Sequence, residues 1–210
     1  MFQVFDFFFS QYSNYSTVDF YLELIAVFFG LLSVWYAKNN NINVYPTGII
    51  STGIFIYLLF NWGLLGDLTI NIYYFSMSIY GWYFWNIKDS GKTVNKISSY
   101  SKNEKVKVII IMFLSIILVV GLYIIFDKWD NPIAWIDTVT TSLFFAGMWL
   151  MAKRKLEHWV FWIIGDIISV PLYLYKGLML TSFQYLIFTI LAIKGYKEWR
   201  NILVKKNQNV

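Results

Sequence analysis

The stretch VKVIIIMFLSIILVVGLYIIF, Val106–Phe126, is broken only by Lys107 at its edge and by the mild Ser115. A helix of about 20 residues rises about 30 Å, the thickness of a bilayer's hydrocarbon core. A buried helix of a soluble protein seldom reaches this length and purity, so the run reads as a transmembrane span. Six further hydrophobic runs flank it, at roughly 20–37, 45–62, 68–86, 133–152, 158–175 and 179–199, and predict seven spans in all. Composition supports this: 58% of the chain is hydrophobic and 14% charged, outside the range of soluble domains. The longest polar stretch, Asn86–Lys105, is only loop-sized. Residues 1–210 therefore read as one all-α, multi-pass domain of the cell membrane, with the lipid bilayer as its partner.

Several chemistries are excluded by what is missing. Without cysteine there is no disulfide framework, thiolate metal site or thiol nucleophile. His158 is the single histidine, so no multi-histidine metal centre is expected, and no cofactor either. His158 adjoins the basic 153–155 segment and reads as a surface residue at the end of a span. Met1–Val18 has Phe-rich positions but no basic leader, and is expected to be an interfacial segment.

Lysine and arginine set the orientation, because short cytoplasmic loops carry the positive excess. Lys38 follows the first span; Lys88, Lys92, Lys96, Lys102 and Lys105 the third; Lys153, Arg154 and Lys155 the fifth; Lys197, Arg200, Lys205 and Lys206 the seventh. The opposite loops are free of basic residues near Asp67 and net acidic at 127–132. The N-terminus is expected outside and the C-terminus in the cytoplasm. The net charge of +5 is then a topological signal, and no nucleic-acid partner is expected.

One interval organises the rest. Trp35, Gly81 and Trp85 recur 114 positions later as Trp149, Gly195 and Trp199, and the same shift relates Gly63 to Gly177 and Glu23 to Asp137. Two three-span repeats, 20–86 and 133–200, joined by a linker helix at 106–126, account for this. An odd linker restores direction, which gives the parallel 3+1+3 arrangement of SWEET-like transporters, with the substrate path between the halves.

The sixth span carries the strongest candidate site. Trp159, Trp162 and Asp166 are spaced three and four apart, on one helix face, with Ser169 near it and Tyr173 continuing it. An acid within a span is costly and usually faces a cavity or a partner. Aromatic faces beside a carboxylate suit a flat organic cation. Each tryptophan also has a plainer reading as an interfacial anchor. The same interval matches these positions with Tyr45, Gly48 and Thr52, so the halves differ here. Asn71, Tyr74 and Ser78 on the third span, with Gln184 and Tyr185 on the seventh, add polar partners for a hydroxylated ligand, against a plain reading as interhelical hydrogen bonds. Glu23 and Asp137 are expected at the outer mouth, pairing with polar neighbours or guiding a cation inward. Their place in a first helical turn, favoured by the helix dipole, is a further possibility.

These residues resemble a known family, the PnuC-type vitamin transporters. The resemblance lies in Glu23-Leu-Ile-Ala-Val through Trp35, in Tyr45-Pro46-Thr47-Gly48-Ile49-Ile50-Ser51, in Ile79-Tyr80-Gly81-Trp82 and in Trp159-x-x-Trp162-x-x-x-Asp166, and spans about residues 20–200. It implies a homotrimer in a bacterial inner membrane, taking up an unphosphorylated vitamin by facilitated diffusion for a cytosolic kinase to trap in the route to NAD. Members carry nicotinamide riboside, thiamine, riboflavin or deoxynucleosides. The pyridinium of nicotinamide riboside and the thiazolium of thiamine fit the aromatic and acidic stripe; riboflavin fits it less well. Two other classes compare poorly. A seven-helix receptor or retinal protein does not need the repeat, and Lys194 lies near the end of its span. An intramembrane enzyme lacks a zinc-type histidine pair, a cysteine or a G-x-S-x-G elbow.

Overall fold

The computed structural model describes residues 16–62, 65–89, 92–93, 95–127, 133–175 and 179–208. Seven helices run through these residues: α1 Thr17–Lys38, α2 Val44–Asn61, α3 Leu65–Asn86, α4 Lys102–Ile125, α5 Ile133–Ala152, α6 His158–Tyr175 and α7 Met179–Gln208. A two-stranded antiparallel hairpin, β1 Lys88–Asp89 and β2 Lys92–Thr93, follows α3. Most of the 1–18 segment, the Gly63/Gly177 pair, the Asp67 side chain and most of the 127–132 loop lie outside the described residues.

Local chemistry explains where the helices begin and end. Ser16 caps α1 by accepting from the Asp19 amide at 3.0 Å, with Asp19 in the first turn and Lys38 in the last. Ser101 and Glu104 form a reciprocal capping box at the start of α4. Both α1 and α5 end in a left-handed residue, Asn40 (φ 51°) and Arg154 (φ 59°). After α1, the Asn40 amide donates to Ala37 O and the Asn41 amide to Tyr36 O, at 2.9 Å each. After α5, Arg154 donates to Met151 O and Lys155 to Leu150 O, at the same distance. Each is a Schellman turn. Arg154 adopts this conformation without being glycine because its side chain is held on three sides. Its Nε donates to Asn40 Oδ1 at 3.1 Å, its guanidinium donates to Asn95 O at 2.7 Å, and it lies 4.1 Å from the centre of the Trp85 ring. Burial lowers its pKa from the ordinary arginine value.

Five helices, α1, α2, α4, α5 and α6, are long and apolar enough to cross a membrane. α3 and α7 fall short of that measure among the described residues. α3 is interrupted by Asn71, Ser76 and Ser78 and rich in Tyr and Trp, and α7 runs on as a charged helix to Gln208, well beyond the expected 199. That extension is built from good helix formers such as Glu198, Arg200, Leu203 and Lys205, which need no bilayer to stay helical.

The core gathers at one end, where the α1–α2 corner, the α5–α6 corner and the C-terminal halves of α3 and α7 meet. Trp85 Nε1 donates to Met151 O and Ala152 O at 3.3 and 3.2 Å, and Trp199 Nε1 donates to Ala37 O at 3.0 Å. Tyr45 meets Trp85 edge-on, as Trp159 meets Trp199. Two glycines make this approach possible: a methyl at Gly81 would overlap the Tyr45 ring, and one at Gly195 the Trp159 ring. α5 is the most enclosed helix, whereas α4 packs chiefly on α5 and leaves an apolar face outward.

Two expectations are corrected here. His158 is fully buried rather than on the surface. Its ring fills the space between the Trp159 and Trp199 indoles, 4.3 and 4.7 Å away, and Nδ1 donates to Lys155 O at 2.6 Å. Glu23 and Asp137 are not in first turns: α1 starts at Thr17 and α5 at Ile133, and the first-turn acid of α1 is Asp19. The dipole does not account for them.

Candidate functional site

A cavity of about 680 Å³ lies between the helices and reaches residues from all seven of them. Trp159, Trp162, Asp166, Ser169 and Tyr173 from α6, Asn71 and Tyr74 from α3, Gln184 and Tyr185 from α7, Glu23 from α1 and Asp137 from α5 all line it. The side chains singled out in the sequence thus share one chamber.

α6 presents its polar stripe inward because its opposite face is apolar and exposed, with Val160, Ile164 and Ile167 outward. Asp166 and Ser169 are 1% exposed, and neither the carboxylate oxygens nor Ser169 Oγ has a hydrogen-bond partner among the described residues. The indole Nε1 atoms of Trp159 and Trp162 are likewise unpartnered. The anchor reading fails for Trp159, which is 2% exposed and packed in the core. Trp162 is half-buried beside the cavity and tilts against Phe144 at 5.4 Å and Tyr74 at 6.3 Å. Phe144 stacks on Tyr185 at 5.9 Å, and Tyr185 on Tyr173 at 5.0 Å, so the rings form a continuous run. Gly165 lets this run close onto α6, since a Cβ there would collide with the Phe144 ring.

The electrostatics are one-sided. The charged side chains lining the cavity among the described residues are the three acids Glu23, Asp137 and Asp166; no lysine or arginine joins them. Asp137 accepts from Tyr123 at 2.6 Å, which ties α5 to α4. A buried carboxylate without protein partners is best compensated by a cation brought in by the ligand.

Sequence reasoning missed three contributors. Helix α4 supplies Val119, Leu122 and Tyr123, and Tyr123 is the one phenol in its apolar run. Phe144, Thr140 and Thr141 come from α5, where the hydroxyl run Thr140-Thr141-Ser142 within an apolar span was a readable signal. On the opposite wall stand Ser33, Ser51 and Thr52. Their hydroxyls donate to Val44 O, Ala26 O and Gly48 O, each at 2.7 Å, so what they offer the cavity is lone pairs.

The chain is 24% identical over 204 residues to the nicotinamide riboside transporter PnuC of Escherichia coli (strain K12), covering 86% of this chain and 85% of that protein. It is 22% identical over 201 residues to the PnuC of Neisseria mucosa, covering 90% and 75%. It is 20% identical over 184 residues to the riboflavin/roseoflavin transporter RibM of Streptomyces davaonensis, covering 84% and 83%. A crystal structure of the vitamin B3 transporter PnuC superposes with a TM-score of 0.68 at 19% identity, covering 90% of this chain and 84% of that one, and so shares its fold. With its apolar helices, these relatives make the chain a multi-pass bacterial membrane protein. Residues 20–201 match the sequence model of the nicotinamide mononucleotide transporter family, and the chain therefore belongs to that family, the one of the PnuC-type carriers.

Proposed function

We propose that the protein takes up nicotinamide riboside by facilitated diffusion through the central cavity, as a carrier and not an enzyme. The observation that carries the reading is Asp166, buried, without a protein partner and surrounded by aromatic rings, in a cavity whose charged side chains are all acidic. A pyridinium ring fits there twice over, as a cation for the carboxylate and as a flat face for Trp162 and Tyr185. A phosphorylated ligand would meet three acids and, among the described residues, no lysine or arginine, which argues for the riboside over the nucleotide. The ribose hydroxyls find acceptors on Ser33, Ser51 and Thr52, and further polar contacts on Asn71 and Gln184. Thiamine, with its thiazolium, is the second reading, favoured by the same charge.

The architecture proposed with it is the parallel 3+1+3 arrangement, N-terminus outside and C-terminus cytoplasmic. Its support is a set of reciprocal contacts at the 114-residue interval. Trp85 reaches the Met151 carbonyl and Trp199 the Ala37 carbonyl, which exchanges equivalent positions between the halves. Arg154 bonds Asn40, its own equivalent, where a pseudo-two-fold axis would pass. The orientation rests on the distribution of lysine and arginine. The homotrimer and the cytosolic kinase that traps the product rest on the family resemblance.

Calorimetric titration of the purified protein tests the reading. Nicotinamide riboside is expected to bind at least tenfold more tightly than riboflavin, with thiamine between them; tighter riboflavin binding would overturn it. Uptake into proteoliposomes should proceed without an imposed ion gradient.

A further inference from the structure

A second cavity, of about 290 Å³, shares no residue with the first and opens between α3, residues 95–98, the start of α4 and the α5–α6 corner. Lys96, Lys107, Lys153 and Lys155 line it against a single acid, Glu104. Glu104 is held by Lys155 at 3.0 Å, which leaves three ammonium groups in excess. The cup is preformed. Ser98 pairs through its backbone with Arg154 and Leu156 and receives a bond from Lys155 Nζ at 3.1 Å. Lys153 is steadied over the Phe84 ring at 4.1 Å.

The position of this cup matters as much as its charge. From Lys107 to Ile125, α4 rises about 27 Å at 1.5 Å per residue, close to the roughly 30 Å of a hydrocarbon core, so Lys107 stands at head-group level. Trp149, which also lines the cup, suits that level. Three, seven and ten residues beyond Lys107, on the same helix face, come Ile110, Leu114 and Ile117, all at least half exposed. Gly121 continues the stripe, and beyond its own chain neighbours and helix backbone nothing lies within 4 Å of the place its Cβ would take. A cation-lined cup therefore stands at the head of an exposed apolar stripe that runs into the membrane. A soluble anion would use the first and not the second.

We propose that this cup binds the phosphate of an anionic phospholipid, with the acyl chains laid along the α4 stripe. Basic pockets between helices at the membrane surface recognise such head groups by charge, and the stripe supplies the contact that distinguishes a lipid from free phosphate.

Native mass spectrometry of the full-length protein in maltoside micelles, titrated with dioleoylphosphatidylglycerol or dioleoylphosphatidylcholine, tests the site. The anionic lipid should stay bound at concentrations where the zwitterionic one does not. Lys96→Gln with Lys107→Gln, both exposed positions, should weaken it at least tenfold, and Lys107→Gln alone at least threefold, whereas Lys197→Gln should leave it unchanged. Equal binding of the two lipids, or undiminished binding by the double variant, would overturn the proposal. So would displacement of the lipid by millimolar inorganic phosphate, which would assign the cup to a free anion. Because the chain has no cysteine, Leu114→Cys gives a clean cross-linking probe. A disulfide-linked dimer in high yield would show that a second copy covers the stripe, and would overturn the proposal as well.

Discussion

α2 and α6 occupy equivalent stretches of chain, Val44–Asn61 and His158–Tyr175, and enter through the same turn geometry, but they build opposite walls of the cavity. Where α6 carries Trp162 and Asp166, α2 carries Gly48 and Thr52. The α6 wall offers an indole N–H, an aromatic face and a carboxylate. The α1–α2 wall offers hydroxyl oxygens whose protons already serve backbone carbonyls. In the proposed two-repeat architecture a shared backbone frame keeps the halves together, while side chains divide the proposed labour: charge and stacking on one side, acceptors for a hydroxylated or amino group on the other. A ligand with a cationic ring at one end and a sugar at the other has a single favourable orientation between such walls.

The sharpest way to break this contrast is Asp166→Asn. It keeps size and removes the charge, and binding of nicotinamide riboside, measured by calorimetry, should weaken by about 2–3 kcal/mol, in the range found when one member of a buried charge pair is lost. A loss no greater than that of Ser169→Ala would move the cation-binding role elsewhere. Next comes Trp162. Its replacement by Ala should cost about 1–2 kcal/mol, and by Phe less than half of that, because the ring quadrupole survives in part; equal, negligible effects would return Trp162 to an anchoring role. The smallest changes are expected from single hydroxyls. Ser169→Ala should cost about 1 kcal/mol, since Ser169 Oγ is free to bond the ligand. Thr52→Val on the facing wall should cost still less, and a larger loss there than at Ser169 would invert the assignment of the walls.

How much of this was legible beforehand follows the kind of signal involved. Apolar length predicted the helices to within a few residues, but not the end of α7, because a hydropathy window registers the membrane and not the helix that outlasts it. The lysine-rich segment around Lys153–Lys155 reads as a surface, with His158 on it. Arg154 and Lys155 instead fold back onto Asn40, Asn95, Ser98 and Glu104, and the histidine behind them is sealed between two indoles. The α6 stripe was readable because helical spacing brings Trp162, Asp166 and Ser169 to one side whatever the fold. Tyr123 was not, since nothing local says that α4 turns a phenol toward Asp137.

The order of residues by itself determined a helical membrane chain, a recurring set of aromatic and glycine positions, and an acid placed among tryptophans on one helix face, for these follow from composition and from the 3.6-residue period. Only the tertiary structure decided that residues as distant as Glu23, Asn71, Asp137 and Tyr185 meet in one chamber with no lysine or arginine among its described lining residues. Long-range contact depends on how whole helices cross, and here that crossing turns on Trp85 and Trp199 finding carbonyls on α5 and α1.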